Sequence, residues 1–457
     1  MNSATGALAE FASRLRFQDL PVEVVEKVLL HTLDQVGVEL AGSTLPFNAL
    51  VREYALEEAA PGMATVISSG RSVRPEWAAL SNATAGHGFE IDDYHPGALS
   101  HPGCVAVPAV IAAGEEWGAT GRDAVVALAI GMEVIVRLGL ALQPSMIYDR
   151  GFHETCVEGV FGAAAGAGRL AGLDAATMAS ALGLAGSHAS GTTEYSQSGG
   201  EVKRLHAGIG AMGGLRAVSL ARRGFEGPRT ILEGRRGTLQ AFAEKSRPEA
   251  VTDGLRERWD LLGMAIKPYC CCGLIHAPID ALRQLVQEEG LATADVEEIV
   301  VGCDRLSQVH VGQIGPRPTD MTGAQFSMEF SLAMTLAGGG NDLVDYQAAA
   351  DAGYADPAVL AVADRIRLEL DPRADAAFPD HFLARVTVRR RRGDTVERWA
   401  YATGSPDAPM ESAAIRAKFR RLAGGVVGEE RAAAIESAID ALPEGGPVRS
   451  VLAGVVQ

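Results

Sequence analysis

The strongest constraint on the fold is a series of Ala- and Gly-rich apolar segments that runs from Ala7 to about Leu262. Three of them are VEVVEKVLLHTLDQVGVEL, RDAVVALAIGMEVIVRLGLAL and VEGVFGAAAGAGRLAGL. In the first, apolar side chains recur at helical spacing from Val25 to Leu40, and Gly42 ends the pattern. The other two are apolar on nearly all sides, which is typical of helices buried among other helices. The sequence therefore predicts a large all-helical domain, assigned to residues 1–265.

The pattern changes after about Pro268. The segments VEEIVVGCDRLSQVHV and LARVTVRRRRGDTVERWAYAT are β-branched and partly alternating, and Arg392-Gly393-Asp394 predicts a hairpin turn. Between them, AQFSMEFSLAMTLAGG and DPAVLAVADRIRLEL predict helices. We therefore expect a smaller α+β domain at residues 266–403 and C-terminal helices at residues 404–457 that rejoin the helical domain. The predicted fold class is mainly α.

Charge and cysteine content limit the class of protein. The chain has 41 Lys and Arg against 57 Asp and Glu, a net charge of −16, which argues against nucleic-acid binding. Six cysteines, three of them consecutive at Cys270–Cys272, indicate a reducing compartment rather than a disulfide framework. The N-terminus lacks a secretory pattern, and the longest apolar run, Val125–Val136, contains Glu133 and is too short to span a membrane. We expect a soluble cytoplasmic protein with no membrane partner.

Two motifs suggest sites that their context does not support. Gly208–Gly213 reads G-x-G-x-x-G, but no buried strand precedes it, so close helix packing is favoured over nucleotide binding. The three adjacent side chains of Cys270–Cys272 point in different directions and cannot all bind one metal ion. We expect neither a metal nor a cofactor.

Four polar segments lie in apolar, Gly-rich surroundings: residues 87–103, 148–155, 200–208 and 267–276. The first contains three carboxylates and three histidines within fifteen residues. Taken singly, each segment also fits a structural role, such as a helix cap, a core histidine or a partly buried lysine. Together they supply the bases, acids and cations needed for proton abstraction beside a carboxylate. Of the five lysines, Lys203 and Lys267 fall in these segments, whereas Lys27, Lys245 and Lys418 are expected at the surface.

At these segments the sequence resembles the MmgE/PrpD family, which includes 2-methylcitrate dehydratase, cis-aconitate decarboxylase and iminodisuccinate epimerase. The similarity runs over essentially the whole chain. The matching motifs are D-x-x-G-x-x-x-A-G at Asp34–Gly42, the D-D…H-P segment, G-[WF]-H-x-T at Gly151–Thr155, K-x-x-H-A-G at Lys203–Gly208, K-x-Y-x-x-C at Lys267–Cys272 and A-x-F-S at Ala324–Ser327.

The resemblance implies a helical domain and a smaller α/β domain with an active site between them, a homodimer, and chemistry without a cofactor. By position, four residues match those regarded as active-site in the decarboxylase branch: His101, His153, Lys203 and Lys267. Asp92 and Asp93 match the family's paired acids. The full set of candidates comprises catalytic residues His101, His153, Lys203, Lys267, Asp93 and Tyr148, and substrate-binding residues Glu90, Asp92, His95, Arg204, His206, Tyr269 and Cys272.

Three departures from the family pattern affect the expected reaction. Glu90 replaces the first Asp of the usual D-F-D-D, and Cys270 stands where Pro is usual. Phe330 stands where the decarboxylase has a tyrosine, which argues against decarboxylation of cis-aconitate unless Tyr148 supplies a phenol.

The expected function is a cofactor-independent lyase, with a dehydratase favoured, that abstracts a proton α to a carboxylate of a small di- or tricarboxylate such as 2-methylcitrate. The base is His101, His153 or a lysine of lowered pKa, and Asp93 orients a histidine. His153 or Tyr148 then protonates the leaving group, and the two lysines offset the protein's negative charge for an anionic substrate. Alternatives are an epimerase of an iminodisuccinate-like compound, a cis-aconitate-type decarboxylase, and a non-catalytic binding relative. We expect Lys203→Ala and Lys267→Ala each to lose turnover and keep the wild-type melting temperature.

Overall fold

In the computed structural model the described residues are 3–455, with the side chains of residues 197 and 198 excepted. The helices of the first part of the chain are α1 (Ala4–Arg14), α2 (Val22–Gly42), α3 (Pro46–Glu58), α4 (Pro75–Gly86), α5 (Gly103–Trp117), α6 (Gly121–Leu142), α7 (Glu154–Val157), α8 (Gly159–Leu170), α9 (Ala175–Ala185), α10 (Tyr195–Ser198), α11 (Val202–Ala221) and α12 (Thr238–Ala241). Those that follow are α13 (His276–Glu289), α14 (Arg305–His310), α15 (Met321–Gln325), α16 (Met328–Leu336), α17 (Leu343–Asp351), α18 (Pro357–Ala363), α19 (Pro372–Ala377), α20 (Ser412–Val427) and α21 (Glu429–Asp440). The strands are β1 (Pro61–Val66), β2 (Arg71–Val73), β3 (Val296–Cys303), β4 (Ile366–Leu370), β5 (Leu383–Arg390) and β6 (Thr395–Tyr401). The expected mainly α fold is confirmed.

The first hydrophobic core is formed almost entirely by helices. The expectation of an all-helical domain is wrong at one place, because β1 and β2 form an antiparallel pair that packs on this core. Helices α2, α4, α5, α6, α8 and α11 pack against one another with Ala and Gly at their contacts. Gly208 on α11 shows why small residues are needed, because a Cβ there would lie 2.5 Å from the Leu80 carbonyl oxygen on α4. The G-x-G-x-x-G motif lies wholly inside α11. Its glycines therefore serve close helix packing, as predicted.

Helix α6 is the one helix in the described part of the chain that is long and apolar enough to span a membrane. In its apolar 18-residue stretch, 94% is buried inside the protein. Its Glu133 carboxylate accepts a 2.6 Å hydrogen bond from Arg137 one turn later and also accepts from the backbone N–H of Leu261. Helix α6 is therefore a core helix whose charged side chains are paired internally.

The second core surrounds a four-stranded sheet with strand order β4-β3-β5-β6. Strands β3 and β4 are parallel, whereas β3–β5 and β5–β6 are antiparallel. The turn at Arg392–Asp394 joins β5 to β6, as predicted. The expected helix from Asp356 to Leu370 is correct only in its first half. Its second half forms β4, because parallel pairing with the buried strand β3 provides hydrogen bonds that local sequence does not reveal.

The C-terminal helices pack back on the first core. Helix α20 contacts α2, and the buried Lys418 ammonium lies 2.8 Å from Asp34 on that helix and donates to the Ile91 carbonyl oxygen. The expectation that Lys418 lies at the surface is therefore wrong, because its charge is paired inside the protein. The division of the chain at residues 265 and 403 stays a prediction.

The loop between α4 and α5 belongs to both cores. Its side chains Phe89, Ile91 and Tyr94 pack in the second core, whereas Ala98 packs in the first. Backbone hydrogen bonds between Tyr94 and Ala265 tie this loop to the chain that enters the second core. The most polar segment of the sequence is therefore held between the two cores.

Candidate active site

A cavity lies beside this loop, between the two cores, with about 550 Å³ of empty space when the solvent at its mouth is included. Residues from widely separated parts of the chain line it: Glu90, Tyr94, Leu99, His101, Ile147, Glu154, Tyr195, Lys203, Lys267, Cys272, Gly273, Leu274, Leu306, His310, Phe326 and Phe382. All four polar segments of the sequence contribute to this lining. Five of the predicted site residues are among them: Glu90, His101, Lys203, Lys267 and Cys272.

Glu90 joins the two lysines of the cavity. Its carboxylate forms a short hydrogen bond with the Lys203 ammonium, and its other oxygen lies 3.6 Å from Lys267 Nζ. All three side chains are almost fully buried. Burial alone would raise the pKa of the Glu90 carboxyl, but Lys203 and Lys267 outweigh it and hold that pKa below its usual range. Glu90 also has a left-handed backbone conformation, with a φ of 58°, which is strained for a non-glycine residue and common at functional sites.

Lys267 is held in its charged form. Its Nζ lies 3.7 Å from Asp92, and it has no hydrogen-bond partner among the residues that the structure describes. Burial alone would lower its pKa, but the carboxylates of Asp92 and Glu90 hold it above the usual value. The expectation that a lysine of lowered pKa acts as base is therefore wrong for Lys267. Its ammonium has hydrogen-bond donors left for an anion.

The Asp92 carboxylate and the Asp93 backbone oxygen orient His101, one of the two histidines that line the cavity. The Nδ1 of His101 lies 2.8 Å from the backbone oxygen of Asp93 and 3.2 Å from the Asp92 carboxylate. The Asp92 carboxylate also lies 2.7 Å from His87 Nδ1, and the Asp93 carboxylate 2.7 Å from His31 Nδ1. With its Nδ1 engaged, His101 has Nε2 available for a substrate. Asp93 acts on His101 through its backbone oxygen and not through its carboxylate.

Behind this histidine lies a group of buried aromatic rings. His153 Nδ1 and His206 Nδ1 are 2.9 Å apart, so that one of the two imidazoles donates to the other. Burial, followed by the charge of neighbouring His206, lowers the pKa of His153 well below its usual value. The His153 ring stacks on His87 and contacts Tyr195 edge-on. His153 does not line the cavity, and it is neutral near pH 7, so the expectation that it donates a proton to the leaving group is not supported.

Glu154 is a cavity residue that the sequence reasoning missed, although it lies within the polar segment 148–155. The residue is 5% exposed, and its Oε1 lies 3.6 Å from His153 Nε2. Its Oε2 has no hydrogen-bond partner among the described residues. Burial raises the pKa of this carboxyl to about 7. A carboxylate adjacent to the predicted His153 was the signal that could have identified it.

The phenols of the cavity are not those expected from the sequence. Tyr148 is 43% exposed and lies outside the cavity, near Asp304 and Asp375. Phe330 also lies outside it, with its ring packed against Tyr354 at 6.3 Å. Tyr94 and Tyr195 line the cavity instead. Tyr94 lies within the D-D…H-P motif but was not among the predicted site residues, and Tyr195 lies outside the four polar segments. The absence of a phenol at position 330 therefore does not leave the cavity without one.

Several other predicted residues support the site from outside its lining. Arg204 is buried and donates to the Gly88 carbonyl oxygen, Thr322 and Gln325. His95 contacts the backbone oxygen of Asp260, and Tyr269 donates to Asp280. These three side chains have protein partners and do not face the cavity, so they do not contact a substrate there.

The three side chains of Cys270–Cys272 lie in different surroundings, as expected. Cys272 lines the cavity, whereas Cys270 and Cys271 are fully buried in the second core. Burial raises the pKa of the Cys272 thiol to about 11, so the thiol is protonated near neutral pH.

One buried group offers ligand atoms for a metal ion. Atoms of His87, Asp92 and Cys104 lie within 4.8 Å of one another. However, His87 and Asp92 hydrogen-bond to each other, and the Lys267 ammonium lies 3.7 Å from Asp92. A positive charge so close opposes a second cation. This arrangement favours an internally paired network over a metal site.

The cavity therefore combines ammonium groups that can bind a carboxylate, an oriented imidazole and a carboxyl group able to hold a proton near neutral pH. The formal charges of Lys203 and Lys267 are cancelled by those of Glu90 and Asp92. The two lysines alone therefore do not offset the negative charge of the protein, contrary to the expectation from sequence. An anionic substrate must compete with Glu90 for the ammonium groups.

Comparison with known proteins matches both parts of the chain to known domains. Residues 6–251 match the model of the MmgE/PrpD N-terminal domain, and residues 269–444 match that of the MmgE/PrpD C-terminal domain. The cis-aconitate decarboxylase of Aspergillus terreus (strain NIH 2624 / FGSC A1156) is 30% identical over 96% of this chain and 93% of its own length. A cis-aconitate decarboxylase-like protein of Aspergillus oryzae is 29% identical over 99% and 97%. Human cis-aconitate decarboxylase is 24% identical over 92% and 88%.

Proposed function

Because the chain belongs to the MmgE/PrpD family, we propose that it is a cofactor-independent lyase of small di- or tricarboxylates, with cis-aconitate as the first substrate to test. The observation that carries this proposal is the Lys267 ammonium, which lines the cavity with hydrogen-bond donors unused by the described protein atoms. A carboxylate is the natural acceptor for such a group. The names of the relatives support cis-aconitate among the possible substrates.

Decarboxylation suits the distribution of charge in the cavity. When carbon dioxide leaves a carbon next to a carbon–carbon double bond, the electron pair of the broken C–C bond forms a new double bond. The electron pair of the old double bond moves to the carbon beside another carboxylate and forms an enolate there. Lys203 and Lys267 lie together where they can stabilise that developing charge without reorganising. The reaction then needs one proton on carbon, and no base.

Dehydration, the reaction favoured by the sequence, is the second candidate. It requires a base, and His101 provides one because its Nδ1 is engaged with the Asp93 backbone oxygen. Epimerisation of an iminodisuccinate-like compound would use the same base. Both alternatives therefore depend on His101, whereas decarboxylation depends on the lysines and an acid.

The test is a set of substrates followed by NMR in heavy water: cis-aconitate, 2-methylcitrate, citrate, tartrate and iminodisuccinate. Decarboxylation of cis-aconitate yields a dicarboxylate with a terminal methylene and one deuterium on the new C–H carbon. Loss of hydroxyl indicates a dehydratase, and exchange at Cα without loss of a group indicates an epimerase. Lys267→Met, which keeps the length of the side chain without its charge, is the inactive control. If wild-type protein changes none of these compounds, the proposal is wrong and the binding relative becomes the better description.

We further propose that the protein is a cytoplasmic homodimer without a nucleic-acid or membrane partner. The family resemblance supports the dimer, and the net charge of −16 supports the lack of nucleic acid. Light scattering after gel filtration checks the dimer, which should have twice the mass of one chain. A monomer at micromolar concentration contradicts it.

A further inference from the structure

We propose that the carboxyl group of Glu154 is the proton donor of the lyase reaction, an inference that rests on the proposed function. In decarboxylation, the bond to the departing carboxylate breaks and its electron pair forms the shifted double bond. The enolate carbon then takes the proton from Glu154, so that a C–H bond forms as the O–H bond breaks. Carbon dioxide leaves, and the Glu154 carboxylate regains a proton from water.

The position of Glu154 satisfies the geometric requirement. It starts α7, lines the same cavity as Lys203 and Lys267, and is almost fully buried. Its Oε2 has no hydrogen-bond partner among the described residues, so a proton on that atom is not committed to the protein. A general acid must lie within hydrogen-bond reach of the atom that it protonates, and a substrate held by the lysines lies in this cavity.

The other titratable groups of the cavity are less suitable donors. Glu90 is ionised between the two lysines, and burial lowers the pKa of His310 to about 4, which makes it neutral near pH 7. Burial raises the pKa of Cys272 to about 11 and those of Tyr94 and Tyr195 above their usual values. Lys203 and Lys267 also carry protons, but the proposed function assigns them to the carboxylates of the substrate. Among the other described residues of the lining, His101 remains as a competing donor. It is therefore the alternative that the experiment must exclude.

The surroundings of Glu154 keep the proton available. Burial raises its pKa to about 7, Lys203 and Lys267 oppose that rise, and Glu90 adds to it. One helical turn later, Glu158 is fully buried, and neither of its carboxyl oxygens has a partner among the described residues. Burial, together with the charge of Glu154, raises the pKa of Glu158 well above its usual value, so Glu158 is neutral. A donor with a pKa near the working pH is the most effective kind of general acid.

The experiment compares wild type with Glu154→Gln, Glu154→Asp and the matched control Glu158→Gln, which is buried one turn away and does not line the cavity. On the compound of the NMR set that wild type converts, Glu154→Gln should reduce kcat by about 100-fold or more with KM changed by less than about threefold. Glu154→Asp should restore part of kcat, and Glu158→Gln should stay within about threefold of wild type. In wild type, kcat/KM, which reports the substrate-free enzyme, should fall as pH rises through about 7, since the protonated form is lost. The residual rate of Glu154→Gln should lack that fall.

A Glu154→Gln protein that keeps wild-type kcat, or that keeps the fall of kcat/KM above pH 7, overturns the inference and assigns the proton to His101. A second measurement separates this failure from failure of the proposed function. It is the infrared C=O band of a protonated carboxyl, recorded without substrate as the difference between wild type and Glu154→Gln. If wild type acts on none of the substrates, the proposed function fails. Even in that case, a Glu154 band that disappears with a midpoint near pH 7 supports Glu154 as a proton donor. If no Glu154 band is present at pH 6, the inference is wrong.

Discussion

Replacement of Glu90 by Gln tests the central feature of the site, a buried carboxylate shared by two ammonium groups. At 3.6 Å, the interaction between Glu90 and Lys267 alone amounts to about 5 kcal/mol at an effective dielectric constant of about 20. Part of this is offset by the cost of burying the charges, and removal of one partner of a buried ion pair typically costs about 3–5 kcal/mol. We therefore expect Glu90→Gln to lower the free energy of unfolding by about 3–5 kcal/mol at pH 7.

The pH dependence of this difference separates a charge effect from a packing effect. The folded pKa of Glu90 lies below its usual value of 4.5, so its stabilisation is fully present above about pH 4.5. It is lost as pH falls below that value toward the lower folded pKa. The difference between wild type and Glu90→Gln should therefore be constant from pH 8 to pH 6 and should shrink as pH falls below 4.5.

Urea denaturation at a series of pH values measures this effect. Glu90→Asp, which restores the acid usual in the family, should keep most of the pH dependence because it keeps the charge. Glu57→Gln, at an exposed position on α3, is the surface control and should change the free energy of unfolding by less than about 0.5 kcal/mol. A Glu90→Gln protein within about 1 kcal/mol of wild type at pH 7, or one whose deficit does not change with pH, would refute the assignment of an ionised Glu90 between two lysines.

The remaining predictions concern Lys267, Lys418 and Gly208. Lys267→Ala should reduce kcat/KM by about 100-fold or more and should also destabilise the fold by about 3–5 kcal/mol, because Glu90 and Asp92 lose a buried partner; an unchanged urea midpoint would contradict this. Lys418→Met should cost about 3–5 kcal/mol, and adding Asp34→Leu should recover most of it, since two buried charges are then replaced by apolar groups. Gly208→Ala should cost about 1–3 kcal/mol in urea denaturation because its Cβ meets the Leu80 backbone, whereas Gly425→Ala, at an open position of α20, should stabilise by about 0.5–1 kcal/mol.

Lys203 and Lys267 show how much of the site local sequence can predict. Both stood out because they lie in polar segments within an apolar chain, and both do line the cavity. Their common contact with Glu90 was not predictable from spacing, because Lys203 and Glu90 are 113 residues apart. That contact changes the expected consequence of removing either lysine. A surface lysine can be replaced without loss of stability, but a lysine that neutralises a buried carboxylate cannot.

Lys418 and Tyr148 were misjudged for related reasons. Helix α20 is amphipathic, and its Lys418 reads as a solvent-exposed residue until Asp34, 384 residues away in sequence, is placed beside it. Tyr148 lies in a polar segment with Glu154, but the adjacent Ile147 lines the cavity and Tyr148 does not. The pairing of Lys418 depended on a neighbour that is distant in sequence, and the side of the chain that Tyr148 occupies is not given by its place in a polar segment.

The sequence by itself determined the mainly helical character of the first 262 residues, the strands after residue 268 and the four polar segments that contribute to the site, but it did not reveal the pair β1–β2. These follow from the periodicity of apolar residues and from composition, which act over a few turns of chain. The tertiary structure alone decided which polar groups share a cavity and which carboxylates pair with the buried lysines. It also decided that the pKa of Glu154 is raised to about 7 while that of Glu90 is lowered. The two carboxyl groups are both buried, and their pKa values diverge because two ammonium groups bind Glu90 directly and leave Glu154 unpaired.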